Sequence, residues 1–423
     1  DLARVFDAAE KLADKAAISS FAENLKSLLL TCPVRGRKIL GIDPGFKHGC
    51  KLALISENGD LLENSVIFPH ERKVESKKVL VDLLKRHKCN LLALGNGTAC
   101  RETETFIDEA IDSLENVEYC IVSEQGASIY SCTDVAKKEF PDMDTNIISA
   151  ISIARRLMDP LSELVKIEPK HLGVGMYQHD VDEKSLNLTL NAVVCESVSS
   201  VGVDVNCASE SLLKHVAGLS EKKAQLIIEH RKLHGAFKSR EELKKVKSIG
   251  PVGWTQMVGF LRINNSSLDA TNIHPESYEL SMKILKNCKL KIDDFGSENF
   301  TKKIKKFCDE NSLESLAKKF NDEPEKIECV LNTFKTESFH HDIRNEKNLL
   351  PIFKRGIQKM SDLKKNQIVS GVVRNIVDFG AFIDLGVQQD GLLHVSKYRN
   401  VKLKLGDRVE LKIESIDVNV VWV

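Results

Sequence analysis

The chain has 423 residues, more than one hydrophobic core usually organises, so we expect several domains. Lys plus Arg and Asp plus Glu number 61 each, which excludes a uniformly basic or acidic protein. The eleven cysteines form no Cys-x-x-Cys pair, and no apolar run is long enough for a membrane span. We therefore expect an intracellular protein, nuclear or cytoplasmic, with reduced thiols, no metal, no cofactor and no membrane partner.

The amino-terminal third alternates helical and strand patterns. Residues 2–30 space their apolar side chains as a helix does, and a Cys-Pro pair ends the pattern. Helical patterns also occur at residues 71–87 and from about residue 103. Short apolar runs predict five strands, at residues 38–42, 50–55, 61–68, 91–94 and 119–122. Three consecutive strands followed by alternating helices and strands predict a mixed α/β sheet covered on both faces.

Near the carboxyl terminus, Val and Ile alternate with polar residues from Gly371 to Asp384, and a second apolar run begins at Gly391. The two runs predict two half-buried strands, with Gly380 at a bend within the first. The strands would present three flat rings on one sheet face: Phe379, Phe382 and His394. Exposed rings stack on unpaired bases. Burial of the rings in an ordinary core is the alternative, which we disfavour because Val or Ile would fill a core at such a bend.

This segment resembles the S1 domain, an oligonucleotide-binding barrel of five strands. The resemblance implies that the two phenylalanines and the histidine line a path for single-stranded RNA. Three nearby basic residues would contact its phosphates: Arg374, Lys397 and Arg399.

Positive charge concentrates between Lys214 and Lys247, where ten Lys or Arg against four Glu give a net charge of +6. Two tight turns, at residues 218–220 within this stretch and 248–250 directly after it, resemble the hairpins of the helix-hairpin-helix family. There, glycines let the backbone approach a phosphate at the start of a helix. Each hairpin here keeps one glycine and has serine at the other position. A plain helix N-cap at Ser220, or a solvated charged surface, is the alternative. The expected phosphate-binding residues are Gly218, Ser220, Lys222, Lys223, Lys247 and Gly250.

Three further motifs resemble the Tex family of bacterial nucleic-acid-binding factors and its metazoan members. Residues 41–49, Gly-Ile-Asp-Pro-Gly-Phe-Lys-His-Gly, resemble the first strand and turn of the YqgF/RuvC branch of the RNase H fold. Residues 149–181 resemble a Tex signature, and Asp342-Ile-Arg344 stands where Tex has Asp-Pro-Arg before its S1 domain. The amino-terminal helical part of the family is missing and the sequence begins without Met, so we expect a piece of a longer protein.

Nucleases of the RNase H fold hold two divalent metals with three or four carboxylates. Asp43 matches the first of these positions, at the end of a strand. The other positions carry uncharged residues that bind Mg²⁺ weakly: Asn96, Asn146 and Ser149. Four acids are possible substitutes: Glu102, Glu104, Glu124 and Asp144. We interpret Glu124 as a first-turn helix carboxylate and predict a degenerate domain without catalysis.

The resemblance implies a multidomain protein of α/β, α and β parts. Its segments are the end of a helical core at 1–36, a YqgF/RuvC-like RNase H-fold domain at 37–160, a helical connector at 161–207, tandem helix-hairpin-helix units at 208–264, a helical connector domain at 265–365 and an S1 (OB-fold) β-barrel at 366–423. We expect binding of single-stranded RNA, with DNA as a second ligand, and the transcription or translation machinery as partner. Two other functions remain open: a Mg²⁺-dependent nuclease or resolvase built on Asp43, and a protein-interaction scaffold.

Overall fold

The computed structural model describes residues 2–175, 178–264, 267–336, 338–339, 341–346, 351, 353, 364–377, 380–385, 391–398, 403, 407–416 and 421–422. Contacts between Cα atoms divide the chain into two compact units. The first contains residues 1–193 and 344–423, and the second contains residues 194–343. None of the helices in the described ranges combines the length and the apolar character needed to cross a bilayer.

The first unit begins with helix α1, Leu2–Leu29, and continues into a mixed five-stranded sheet. Its strands are β1 Ile39–Asp43, β2 Cys50–Ile55, β3 Leu61–Ile67, β4 Leu91–Gly95 and β5 Glu118–Val122. They lie in the order β3-β2-β1-β4-β5. β1, β2 and β3 pair antiparallel, whereas β1, β4 and β5 run parallel. The carboxyl ends of the three parallel strands therefore meet at one edge of the sheet.

Helices cover both faces of this sheet. They are α2 Lys73–His87, α3 Cys100–Ile111, α4 Ala127–Ser131, α5 Asp134–Glu139, α6 Thr145–Met158 and α7 Pro160–Leu164. α2 and α3 bury one face, and α6 buries the other. Gly41 in β1 permits the close approach of α6, because a Cβ atom there would lie 2.1 Å from the Ala150 carbonyl oxygen. Burial on both faces explains why these strands are continuous apolar runs in the sequence.

The second unit is helical. Helix α8, Glu183–Val201, contains the first division of the chain, and α16, Ile343–Glu346, contains the second. Between them lie α9 Glu210–Leu213, α10 Glu221–His234, α11 Pro251–Val258, α12 Tyr278–Asn287, α13 Glu298–Glu310, α14 Leu313–Phe320 and α15 Pro324–Phe334. A short parallel pair joins β6 Val203–Asp204 to β7 Leu261–Arg262. Edge-to-face contacts of Phe295 with Phe300 and Phe334 lie in the core of the later helices.

The carboxyl-terminal part forms a six-stranded sheet in the order β11-β8-β9-β10-β13-β12. The strands are β8 Ile368–Val377, β9 Gly380–Asp384, β10 Gly391–His394, β11 Arg408–Lys412, β12 Ser415–Ile416 and β13 Val421–Trp422. Gly380 permits close strand approach, since a Cβ atom there would lie 2.4 Å from the Leu393 carbonyl oxygen.

The predicted fold class is confirmed: an α/β part is followed by a helical part and then by a β part. The five strands of the first sheet agree with the apolar runs to within one residue at either end. The reason is that strand and helix periodicities are local properties of the sequence, which burial in this fold preserves.

Candidate nucleic-acid interface

Two of the three predicted ring residues lie on the outer face of the carboxyl-terminal sheet. In the register between β9 and β10, Phe382 stands opposite Leu392, two residues before His394. Alternate residues of a strand point to the same face, so Phe382 and His394 are diagonal neighbours on one face. The opposite face holds the buried core residues Ala381, Ile383 and Leu393. His394 is exposed and Phe382 is partly exposed.

The His394 ring is held in place by its own loop. Its Nδ1 accepts a hydrogen bond from the Ser396 backbone N–H at 3.3 Å and lies 2.8 Å from the Ser396 hydroxyl. These contacts occupy one ring nitrogen and leave Nε2 to meet a ligand. Lys397 is exposed, and its Nζ lies 2.5 Å from the Glu414 carboxylate, so its charge is shared. Phe379, Arg399 and the side chain of Arg374 lie outside the described residues.

The two hairpins of the helical unit share one backbone conformation, although their sequences differ. The first turn residue is left-handed in both, with φ of +82° at Gly218 and +68° at Ser248. The third is the extended N-cap of the next helix, Ser220 for α10 and Gly250 for α11. A Cβ atom at Gly250 would meet no atom within 4 Å, so neither sterics nor conformation requires glycine there. The missing side chain leaves the start of α11 open to a ligand.

Lysine residues lie in or directly beside both hairpins. Lys223 donates from Nζ to the Gly218 carbonyl oxygen at 3.3 Å, and its backbone N–H donates to the Ser220 hydroxyl at 3.4 Å. Lys222 and Lys247 are exposed, and within the described ranges neither forms an ion pair. These two ammonium groups are therefore the available counter-charges for a phosphate. Lys223 instead stabilises the turn.

A buried arginine that the sequence analysis missed organises the second hairpin. Arg240 is 1% exposed. Its guanidinium donates at 2.6–2.8 Å to four oxygen atoms, the carbonyls of Leu261, Thr271 and Ile273 and the hydroxyl of Tyr278. The Arg240 carbonyl accepts a bond from Trp254 Nε1 at 3.0 Å, and its N–H donates to Asp269 at 3.0 Å. In the sequence, nothing distinguishes Arg240 from the other basic residues between Lys214 and Lys247.

Asp43 lies where β1 ends, at the edge where the parallel strands terminate. The strand register pairs it with Lys51 of β2. Burial raises the pKa of Asp43, and the positive charge of Lys51 opposes this effect. The Lys51 ammonium also donates to the Gly49 carbonyl oxygen at 3.0 Å. The chain thus supplies its own cation to this carboxylate.

Glu124 is brought close to Asp43, contrary to its interpretation as a first-turn helix carboxylate. That interpretation is wrong, because α4 begins at Ala127, after a left-handed Gly126 with φ of +75°. The carboxylate lies against the loop after β4, where a Cβ atom at Gly97 would overlap it. Burial and then the charge of Asp43 raise the pKa of Glu124. Sequence separation hid this proximity, which arises because β1 and β5 end at the same sheet edge.

Two of the other acids named as substitutes are engaged elsewhere, and the third is exposed. Asp144 caps α6 by accepting from the Asn146 backbone N–H at 2.8 Å. Glu104 accepts a hydrogen bond from the Tyr119 hydroxyl at 2.9 Å, and Glu102 is exposed on α3. Ser149 is buried in α6. In the part of the chain that the structure describes, no group of three or more His, Cys, Asp or Glu is arranged to hold a metal.

The Asp-Ile-Arg motif contributes an anchor to the first unit. Arg344 is 1% exposed, and its Nη1 lies 2.8 Å from Asp159 Oδ1. Arg35 approaches the other carboxylate oxygen at 2.7 Å. Burial acts to raise the pKa of Asp159, but the two guanidinium groups outweigh burial and lower it to about 2. This motif therefore has a structural function in the chain.

Four family models match the chain. They are the Tex protein YqgF-like domain at residues 37–158, the helix-hairpin-helix motif at 198–262, the HHH domain at 266–324 and the S1 RNA binding domain at 362–420. Each matched range lies on the fold part described above.

Curated relatives align along nearly the whole chain. Human S1 RNA-binding domain-containing protein 1 is 39% identical over 96% of this chain and 47% of its own length. The transcriptional accessory protein Tex of Neisseria gonorrhoeae is 40% identical over 96% of this chain and 54% of its own length. Protein YhgF of Escherichia coli is 40% identical over 96% and 53%. The chain spans about half the length of these relatives. It belongs to the Tex family, whose YqgF-like, helix-hairpin-helix and S1 domains it carries in that order.

Proposed function

We propose that this chain is a Tex-type nucleic-acid-binding protein whose S1 domain binds single-stranded RNA. The observation that supports this most is the position of Phe382 and His394 on the sheet face opposite the core. Each ring can stack on an unpaired base, and such stacking contributes about 1–3 kcal/mol per base. Because every base has an aromatic face, we expect little sequence preference from these contacts.

The helix-hairpin-helix pair provides a second, electrostatic contact. The open N-cap at Gly250 lets a phosphate approach the backbone N–H groups of Val252 and Gly253, since Pro251 at the first helical position has none. Lys222 and Lys247 supply positive charge. Phosphate contacts carry no sequence information but position the ligand. Each neutralised phosphate makes the affinity fall by about 0.7–0.9 log unit per log unit of salt. We therefore expect duplex binding through this unit to weaken steeply with salt.

The RNase H-like domain, in this proposal, supports binding without cleaving. Two-metal catalysis needs several carboxylates around a cationic centre. Here Lys51 already offsets Asp43, and the Asn96 side-chain oxygen accepts the Glu124 backbone N–H at 3.0 Å. The positions at Asn146 and Ser149 add no negative charge. Among the described residues this edge brings together Asp43, offset by Lys51, and Glu124, which is fewer carboxylates than a two-metal site uses.

A Mg²⁺-dependent nuclease is the competing function, and one observation favours it. Asp43 and Glu124 are coupled electrostatically, and each has a raised pKa. A cation between two such carboxylates would relieve their burial and repulsion. We expect purified protein with Mg²⁺ to leave single-stranded and branched substrates intact. Cleavage that Asp43→Asn abolishes, and Asp60→Asn does not, would establish the nuclease instead.

The S1 proposal is tested by salt-titrated binding of single-stranded RNA, single-stranded DNA and duplex of equal length. We expect the double variant Phe382→Ala, His394→Ala to lose about ten-fold or more in affinity for single-stranded RNA. Ile368→Ala is the matched control, because Ile368 is apolar and 71% exposed on the same sheet. Unchanged RNA binding by the ring variant would favour a protein-interaction scaffold.

The cellular setting we propose is transcription or RNA metabolism, with the transcription machinery as partner. The support is the name of the Neisseria relative, a transcriptional accessory protein, at 40% identity. Co-purification of RNA polymerase with the chain, lost on ribonuclease treatment, would show a partnership that RNA mediates. Absence of polymerase at every salt concentration would contradict the proposal.

A further inference from the structure

We propose a second stacking site for single-stranded nucleic acid, on the RNase H-like domain. It is formed by the rings of Phe46 and His70 with the cations Lys47 and Arg72, and we name it the Phe46 platform. The inference rests on the proposed function in one respect, that the ligand is a nucleic acid. It assigns a role to a surface that neither the S1 face nor the hairpins include.

The first observation is the exposure of Phe46. This side chain is 46% exposed, and it is the one exposed ring among the Phe, Tyr and Trp residues whose side-chain burial the structure describes. Burial normally removes such a ring from water, because aromatic surface is strongly apolar. A ring left open in a turn, next to an otherwise well-filled core, is available to a ligand.

The second observation is that Phe46 is part of a larger aromatic surface. Its centroid lies 4.9 Å from that of His70, with the rings tilted by 45°. In the same loop, the Arg72 guanidinium carbon lies 5.3 Å from the centroid of the Phe68 ring. Two loops that are separate in sequence thus bring the Phe46 and His70 rings together, and a guanidinium lies over a third ring within the second loop. An unpaired base can stack on such a surface through its aromatic face.

The platform is preorganised by close backbone contacts. Gly49 has φ of +70°, and a Cβ atom there would lie 2.6 Å from the Ile67 carbonyl oxygen and 2.9 Å from the Phe68 ring. The Phe68 N–H donates to the buried Ser76 hydroxyl at 3.1 Å. These contacts fix the turn that carries Phe46 against the loop that carries His70. A ligand therefore meets a formed surface and incurs little ordering cost.

The charges around the platform are mixed, and this decides what binding should look like. Lys47 is exposed and forms no ion pair within the described ranges. Arg72 shares its charge with Glu75 at 4.0 Å, and Glu71 is exposed beside it. One available cation and one shared cation neutralise few phosphates. Affinity at the platform should therefore come mainly from stacking and depend weakly on salt, unlike that of the hairpins.

The test uses the whole chain and a fluorescent oligouridine in a binding titration. We expect Phe46→Ala to weaken binding about five-fold or more, the lower end of the range for one stacked base. Phe46→Trp keeps an aromatic ring and should bind within about two-fold of the original chain. Val74→Ala is the control, because Val74 is 73% exposed on the neighbouring helix and should leave binding unchanged. Circular dichroism melting of each variant identifies any loss of folding.

Photocrosslinking distinguishes this site from the S1 face and works even if Phe46→Ala does not fold. A 5-iodouridine oligonucleotide should form adducts on the peptide that contains Phe46 or on the one that contains His70, as read by mass spectrometry. These adducts should persist in the Phe382→Ala, His394→Ala variant. No adduct on either peptide, together with unchanged affinity of Phe46→Ala, would overturn the platform while leaving the S1 proposal intact. Loss of binding only in the S1 variant would do the same.

Discussion

Ser248→Gly should stabilise the second hairpin. Ser248 has φ of +68°, at the turn position that Gly218 occupies in the first hairpin. The left-handed conformation costs a residue with a Cβ atom about 1–2 kcal/mol. Glycine avoids this cost, but its greater conformational freedom stabilises the unfolded chain and offsets about 0.4–1 kcal/mol of the gain. The expected net gain is about 0.5–1 kcal/mol in the free energy of local opening.

Native-state hydrogen exchange measures this gain, because it reports local opening in a chain of several domains. The amides to follow are Ile249, which bonds the Val246 carbonyl at 3.2 Å, and Trp254, which bonds Gly250 at 2.9 Å. Their exchange should slow about two- to five-fold in Ser248→Gly. Gly218→Ala is the opposite test, made in the first hairpin. It forces alanine into the left-handed conformation and places a Cβ atom 3.1 Å from Gln256 Cβ, so amide exchange in that hairpin should accelerate. Unchanged or faster exchange in Ser248→Gly would refute the reasoning.

Three further predictions concern buried charges. Arg240→Met should lower the free energy of unfolding by about 3–5 kcal/mol, because the oxygen atoms that accept from the buried guanidinium would lose their donor. Lys232→Met, at an exposed position, should change it by less than about 0.5 kcal/mol, and urea titrations measure both. Asp159→Asn should lose about 2 kcal/mol at pH 7. The pKa of Asp159 is lowered to about 2 in the fold, so this difference should be full above about pH 4 and vanish as pH falls toward 2 in acid-unfolding curves. Asp43→Asn should stabilise the chain at neutral pH, because the raised pKa means that the charged form is disfavoured in the fold, and the gain should disappear in acid.

Each of these has a result that contradicts it. Equal losses for Arg240→Met and Lys232→Met would mean that the buried network adds nothing. An Asp159→Asn loss that persists unchanged at pH 2 would assign its effect to packing instead of charge. Destabilisation by Asp43→Asn at pH 7 would show that the attraction of Lys51 outweighs burial, with the exposed Asp60→Asn as the neutral reference.

The edge of the RNase H-like sheet places an acid beside a cation that the chain itself supplies. Asp43 ends β1 as a metal-binding carboxylate would, yet the antiparallel neighbour β2 brings Lys51 alongside. Glu124 arrives from β5 and has a buried Oε2 without a hydrogen-bond partner in the described residues. The Phe46 turn follows directly after Asp43 in sequence. These side chains are the basis of the binding role proposed for this edge.

Local sequence patterns are sufficient to predict the elements and the order of the domains. Strand and helix periodicities, turn glycines and short motifs are properties of neighbouring residues, and so the β strands, the hairpins at Gly218 and Gly250 and the outer rings of the S1 sheet were predictable. The sheet face that Phe382 and His394 occupy is predictable for the same reason, because side chains alternate between the two faces along β9 and β10.

The contacts between distant residues could not be predicted in this way, because they depend on how the chain packs. Glu124 approaches Asp43 because two parallel strands end at the same edge, and Arg344 reaches Asp159 from far along the chain. Arg240 gathers carbonyl oxygens from a segment that carries no motif. His70 meets Phe46 because Gly49 lets two loops touch. Each contact joins residues that are far apart in sequence, and local periodicity carries no information about such pairs.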